Sequence, residues 1–230
     1  MNYKNKEKLF SKLKNHKIDV LVFSTFFDPK ILEYCKKEKI KTFMIGYPLR
    51  DSHREAIKER RMYKKFTEII TLKDIIKTKK SSKKEIIVSP LKENSKNQKK
   101  ISKIKNILVT CGGGGRPSSK KFLEKTEKAA KEINKEFPEI NFTFIRGNAK
   151  KNLNSSNIKT INWSDNFLNK LQKHELIISE AGYHTIIDLI SAQKPGIILP
   201  GERRIDNQEL RSVEFEKKGA RVVHISYRKL

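Results

Sequence analysis

Three short segments in the second half of the chain carry residue types able to hold an anion or a sugar. Residues 111–116 read CGGGGR. Glycines directly after an apolar run let the backbone take positive φ and approach a ligand closely. A helix starting behind them adds free N–H groups and the positive end of its dipole. A phosphate or a sugar suits such a loop. The spacing is neither that of a Gly-Lys-Ser/Thr phosphate loop nor that of a GxGxxG fingerprint. Glycine content alone fits a tight turn equally well.

Residues 179–185 read SEAGYHT and lead to Asp188. Gly182 stands where a strand gives way to a helix, so the amides of residues 183–185 point outward at the helix start. Thr185 adds a hydroxyl, and together these make a diphosphate site in the physical sense. Asp188 follows Thr185 by three residues and shares its helix face. A carboxylate there can accept both hydroxyls of a ribose, or it can stabilise the helix N-terminus with no ligand at all. Residues 200–208 read PGERRIDNQ. Arg203 and Arg204 can meet phosphate, and Asp206, Asn207 and Gln208 can bond sugar hydroxyls. Asp206 or Asn207 can equally cap the helix that follows. The five histidines are scattered without metal-ligand spacing, and of them only His184 lies in one of these loops.

The elements that must position these loops alternate between short β-type runs and helical stretches. Strands are expected at 19–24, 40–45, 68–71 and 85–89, with helices over 29–37 and 52–64. Then comes the polar stretch KENSKNQKKISK at 92–103, which has no helical period and reads as a linker. Beyond it, strands are expected at 106–110, 142–146, 159–162, 175–179, 196–199 and 221–225. Helices fit 118–136, 167–173, 183–192 and 206–218. Such alternation predicts βαβ units around parallel sheets, that is, an α/β chain of doubly wound pattern. In an open parallel sheet, ligands bind beyond the carboxyl ends of the strands, where all three loops fall.

The bulk properties set bounds. The 230 residues suffice for one large domain or two small ones. The net charge of +26 accompanies 52 Lys and Arg against 26 Asp and Glu. An anionic partner is the general meaning of such an excess. Here Lys far outnumbers Arg and is spread along the whole chain, as a lysine-favouring composition produces without any nucleic-acid site. No specific nucleic-acid partner is expected, and weak attraction to anionic lipid would be a side effect. Cys35 and Cys111 form neither a disulfide framework nor a metal site, which fits a reducing, cytoplasmic compartment. No apolar run nears the roughly 20 residues needed to span a bilayer, so any membrane contact is expected to be peripheral.

The segment 175–225 contains Ser-x-x-Gly-x-x-Thr after a strand, an acidic residue three later, Lys-Pro before a strand with Pro at its end, then Asp-x-Gln and a helix ending in Gly-Ala. In this it resembles the donor-binding domain of MurG-like glycosyltransferases, which use UDP-N-acetylglucosamine with lipid-linked acceptors. It is also similar to the catalytic subunit of the two-part transferase that adds the second GlcNAc to dolichol-linked sugar. The resemblance covers residues 104–230. It implies a GT-B fold of two Rossmann-like domains: a truncated acceptor-side domain at 1–91 and a nucleotide-sugar domain at 104–230, joined by the linker 92–103.

It further implies a metal-independent, inverting transfer of GlcNAc or another hexose from a UDP-sugar to an acceptor hydroxyl. No cofactor is implied beyond the donor substrate. The acceptor would be lipid-linked or another sugar, and a partner subunit would complete a shortened first domain. Carried over by position, Gly182, Tyr183, His184 and Thr185 hold the diphosphate, and Asp188, where the family usually has Glu, binds the ribose. Gly113, Gly114, Asp206, Asn207, Gln208 and Glu209 line the donor sugar, with Glu209 in place of the family's second Gln. Arg146 and Gly147 lie on the uracil side. No residue matches a catalytic base. Two further readings are a UDP-sugar hydrolase of the same fold and a non-catalytic module that binds a nucleotide sugar or a polyanion.

Overall fold

The computed structural model describes residues 3–24, 27–46, 62–77, 80, 82–89, 103–114, 116–148, 157–201, 203 and 206–222. The chain forms two compact units, Met1–Pro90 and Leu91–Leu230.

The first unit is a four-stranded parallel sheet in the order β1-β2-β3-β4, with β1 Val20–Ser24, β2 Lys41–Gly46, β3 Glu68–Leu72 and β4 Glu85–Val88. Helix α1 (Tyr3–Asn15) precedes β1, α2 (Pro29–Lys37) joins β1 to β2, and a 3-10 turn (Met62–Lys65) leads into β3. Local chemistry fixes α2. The Asp28 side chain accepts the Lys30 N–H at 2.9 Å, Pro29 opens the first turn, and Lys36 and Lys37 sit at the negative end of the dipole. Phe23, Met44 and Ile69 point to one face of the sheet and share a core with Ile31, Leu32 and Cys35 of α2 and Leu13 of α1. On the opposite face Val20, Val22 and Ile86 remain 47%, 54% and 45% exposed.

Helix α1 is not among the sequence expectations. Its lysines hide a short apolar stripe, Leu9, Phe10 and Leu13, which gains a surface only from the core of α2 and the sheet. Phe10 meets Tyr34 edge-on at 5.7 Å between ring centroids. The helix expected at 52–64 lies outside the described residues except at its end, which forms the 3-10 turn. The stretch 92–103 lies outside them except for Lys103.

The second unit is a six-stranded parallel sheet in the order β10-β9-β8-β5-β6-β7. Its strands are β5 Asn106–Thr110, β6 Asn141–Ile145, β7 Ile158–Ile161, β8 Leu176–Ser179, β9 Gly196–Ile198 and β10 Arg221–Val222. The helices are α3 Pro117–Glu136, α4 Phe167–Gln172, α5 Tyr183–Ser191 and α6 Gln208–Glu216. Central β5 is apolar without alternation, as a strand covered on both faces must be. Its Ile107 and Val109 pack with Phe122, Leu123, Phe142 and Phe144. Chain direction across the sheet reverses between β5 and β8, since β6 and β7 lie to one side and β9 and β10 to the other. The crevice at that switch point is opened by the residues after Thr110 and Ser179. The α/β architecture of parallel sheets is thus the one the alternating pattern predicts.

Candidate functional site

The loops after β5, β6, β8 and β9 meet at the carboxyl edge of the second unit's sheet. After β5 the chain passes through Gly112 at φ +69° and Gly114 at φ +65°. A Cβ at Gly112 or Gly113 would meet nothing within 4 Å among the described residues, so this backbone borders open space there. The turn after β6 supports it from below. Gly147 has φ +57°, the Asn148 N–H donates to the Gly113 carbonyl at 3.1 Å, and a Cβ on Gly147 would lie 2.3 Å from that same oxygen. Gly113 and Gly147, expected on the sugar side and the uracil side, are therefore in backbone contact. The Arg146 side chain turns away from them into the core. It pairs with Glu127 of α3 at 3.3 Å and lies over the Phe144 ring.

The loop after β8 behaves differently. Gly182 is the N-cap of α5 at φ −63° and ψ 143°, a conformation open to any residue, and no side chain caps the helix. A Cβ there would meet only the Thr185 hydroxyl, at an ordinary 3.8 Å. Among the described residues, neither backbone strain nor crowding demands glycine at this position. Tyr183 is buried, whereas His184 is exposed and Thr185 half-buried. Asp188 lies one helical turn beyond His184 and is half-buried. Burial raises its carboxyl above the usual aspartate range, and nearby His184 acts in the opposite sense.

The third loop clamps the second. Arg203 donates to the Glu180 carboxylate at 2.5 Å and also to the Ser118 hydroxyl at the start of α3. Ser119 donates to the same Glu180 oxygen at 3.1 Å. Glu180 is itself buried. Desolvation raises its pKa, while Arg203 and the Ser119 hydrogen bond hold it down. A Cβ on Gly201 would sit 2.7 Å from Glu180 Oε1, so a side chain there would press on this pair. Gln208 is buried and committed to the loop: its Oε1 accepts the Gly201 N–H at 2.9 Å, and its amide donates to Asp206 at 3.3 Å. Asn207 caps α6 through the Leu210 N–H at 3.3 Å, and Glu209 is exposed. Arg204 lies outside the described residues.

The sequence thus named most of the residues brought together here, but not what they do to one another. Glu180, Ser118, Ser119, Gly201 and Arg211 form the framework behind the loops, and sequence reasoning assigned none of them that role. Glu180 beside Arg203 in a loop pair was the available signal. The pairing itself exists only in three dimensions.

Residues 106–229, more than half of the chain, match the family model of the glycosyltransferase family 28 C-terminal domain. No curated protein matches the sequence. Among solved structures the chain is similar to the glycotransferase of kitacinnamycin, at 12% identity and a TM-score of 0.65, covering 97% of this chain and 67% of that one. It is similar to MurG of Acinetobacter baumannii at 14% identity and a TM-score of 0.53, covering 96% and 64%. The spinosyn rhamnosyltransferase SpnG, complexed with thymidine diphosphate, gives 13% and 0.58, covering 95% and 62%. Identities this low speak for the fold, which is GT-B in type, and the chain spans about two thirds of the length of these structures. A parallel sheet with glycine-bearing loops at its switch point, inside a segment that matches this model, makes the chain a member of glycosyltransferase family 28 through its C-terminal domain.

Proposed function

We propose that the second unit binds a UDP-sugar and that the chain serves a MurG-like, metal-independent, inverting glycosyltransferase that moves GlcNAc or another hexose to an acceptor hydroxyl. The observation that carries this reading is Gly182. It is a glycine that the fold does not require, at the uncapped start of a helix at the switch point, with a half-buried carboxylate six residues on. Leaving out a side chain there preserves room against the helix N–H groups, and that room suits a diphosphate.

In this reading the α5 N-terminus and Thr185 bind the diphosphate, and Asp188 accepts the ribose hydroxyls. The open backbone at Gly113 and Gly114 and the exposed Glu209 lie toward the sugar. The acceptor oxygen forms its bond to the anomeric carbon as the bond from that carbon to the diphosphate oxygen breaks. UDP departs with the electron pair, and the hydroxyl's proton passes to solvent. Oriented amides at a helix start stabilise that developing negative charge without reorganising, which is the contribution a metal makes in other transferases.

The test is calorimetric titration with UDP and UDP-N-acetylglucosamine in the presence of a chelator, for the wild type, Asp188→Ala and Gly182→Ala. Binding by the wild type that weakens in both variants is expected. Equal affinity in all three would remove the assigned loop from the site. Release of free sugar without acceptor would assign water as the acceptor instead.

A further inference from the structure

Helix α6 sends one side chain beneath the donor loop. Arg211 is 0% exposed, the most deeply buried cation of the described residues. Its Nη1 donates to the Ala181 carbonyl at 2.9 Å and lies 2.8 Å from Asp206 Oδ1. Its guanidinium carbon stands 5.7 Å from the centroid of the Tyr183 ring. Ala181 and Tyr183 are the two neighbours of Gly182, so one guanidinium contacts both flanks of the N-cap, the Ala181 backbone through a hydrogen bond and Tyr183 through its ring. Asp206 is in turn held by Gln208, which is anchored on the Gly201 N–H. The buried chain Gly201–Gln208–Asp206–Arg211–Ala181 ties the third loop to the second.

Two physical consequences follow. A loop of alanine and glycine has no side chain of its own to fix the direction of the first α5 amides, and Arg211 supplies that constraint. A guanidinium packed beneath a helix N-terminus also adds its charge to the positive end of the dipole. Asp206 offsets part of that charge, and an anion bound above the loop would gain from the remainder. An uncharged residue of equal bulk would fill the space without either effect, and a buried cation is a costly way merely to fill it.

We propose that Arg211 is a positioning residue for the donor's diphosphate: it sets the orientation and the potential of the 181–183 backbone without touching the ligand. This rests on the donor-site reading above. It predicts selectivity for the phosphates over the nucleoside, a property that simple structural support would not confer.

The experiment titrates wild type, Arg211→Met and Arg211→Lys, each checked for folding by circular dichroism, with UDP and separately with uridine. For Arg211→Met, UDP affinity is expected to fall about tenfold or more, as when a positioned charge-assisted contact is lost. Uridine affinity, carried by the base and ribose contacts, is expected to stay within about twofold of wild type on the same affinity scale. Arg211→Lys keeps the charge but not the fork and is expected to fall between the two. An unchanged ratio of UDP to uridine affinity in the folded variants would overturn the assignment, as would an equal loss of both ligands. A wild type that binds uridine no worse than UDP, or binds neither, would instead sink the donor-site reading itself. Should neither variant fold, nuclear magnetic resonance of the wild-type Arg211 guanidinium decides. Its signal is expected to shift with UDP and not with uridine, and a signal blind to both would reject the role.

Discussion

Gly147 and Gly182 show two different reasons for a glycine. At Gly147 the backbone sits at φ +57° and a Cβ would collide with the Gly113 carbonyl, so the fold itself forbids a side chain. Gly147→Ala is expected to cost on the order of 1–3 kcal/mol, read as a fall in the midpoint of thermal or denaturant unfolding. Gly182 has neither constraint, and Gly182→Ala is expected to leave that midpoint nearly unchanged while UDP binding weakens. Equal loss of stability in both would cancel the distinction. Asp188 makes a pH prediction. Because burial raises its pKa, the carboxylate that would accept ribose hydroxyls is lost at a higher pH than an ordinary aspartate would lose it. Asp188 alone thus favours the folded state while protonated, at low pH, and that contribution disappears as pH rises through the raised pKa. Ligand binding has the opposite sense: UDP affinity is expected to fall as pH drops from neutral toward that pKa, and Asp188→Asn should flatten this part of the profile. Cys111 is inert by the same physics. Burial pushes its thiol up to about 11, so at neutral pH the nucleophilic thiolate is scarce. Iodoacetamide is expected to label Cys111 only once the protein is unfolded, as peptide mapping before and after denaturant would show.

At the scale of elements, the central strands of the second unit were legible because they are covered on both faces and read as short apolar runs, as in NILVT and LIIS. Helix α2 was legible through Asp28, Pro29 and its terminal lysines. Helix α1 was not, because its apolar stripe is short and its remaining positions are mostly lysine and asparagine. Its burden falls on Leu13, buried among Phe23, Ile31 and Leu32. Leu13→Ala is expected to destabilise the first unit by about 2–5 kcal/mol, the usual cost of emptying a buried leucine site. Lys12→Ala, one residue earlier and exposed, should change little. Denaturant unfolding followed by circular dichroism separates the two outcomes. The loop after β8 is tied to the loop after β9 through Arg203–Glu180 and to α6 through Arg211–Ala181. A Gly201→Ala side chain would press on Glu180, so it should disturb the loop after β8 and weaken UDP binding in the same titration, although Gly201 lies outside that loop.

At the scale of the whole molecule, the charge of +26 and the proposed donor site answer to different physics. Lysines spread over the surface act collectively and are screened by salt, whereas a built site with buried partners is screened far less. Retention on heparin is therefore expected to collapse at high salt, with UDP affinity changing much less over the same range. Parallel losses would mean that general polyanion attraction underlies both. The sequence by itself determined the alternation of strands and helices, the placing of the glycine-bearing loops at strand ends and the family resemblance of the second half, because periodicity and turn chemistry are local. Only the tertiary structure decided that β5 and β8 lie side by side, which makes a crevice from segments about 70 residues apart. It also decided which partners the named side chains find within the chain. Arg146 and Gln208 have the chemistry of ligand contacts, yet they spend it on Glu127 and on the Gly201 amide. A side chain's type fixes what it can bond, but its partner is whatever the packed chain brings within reach, and no local spacing encodes that.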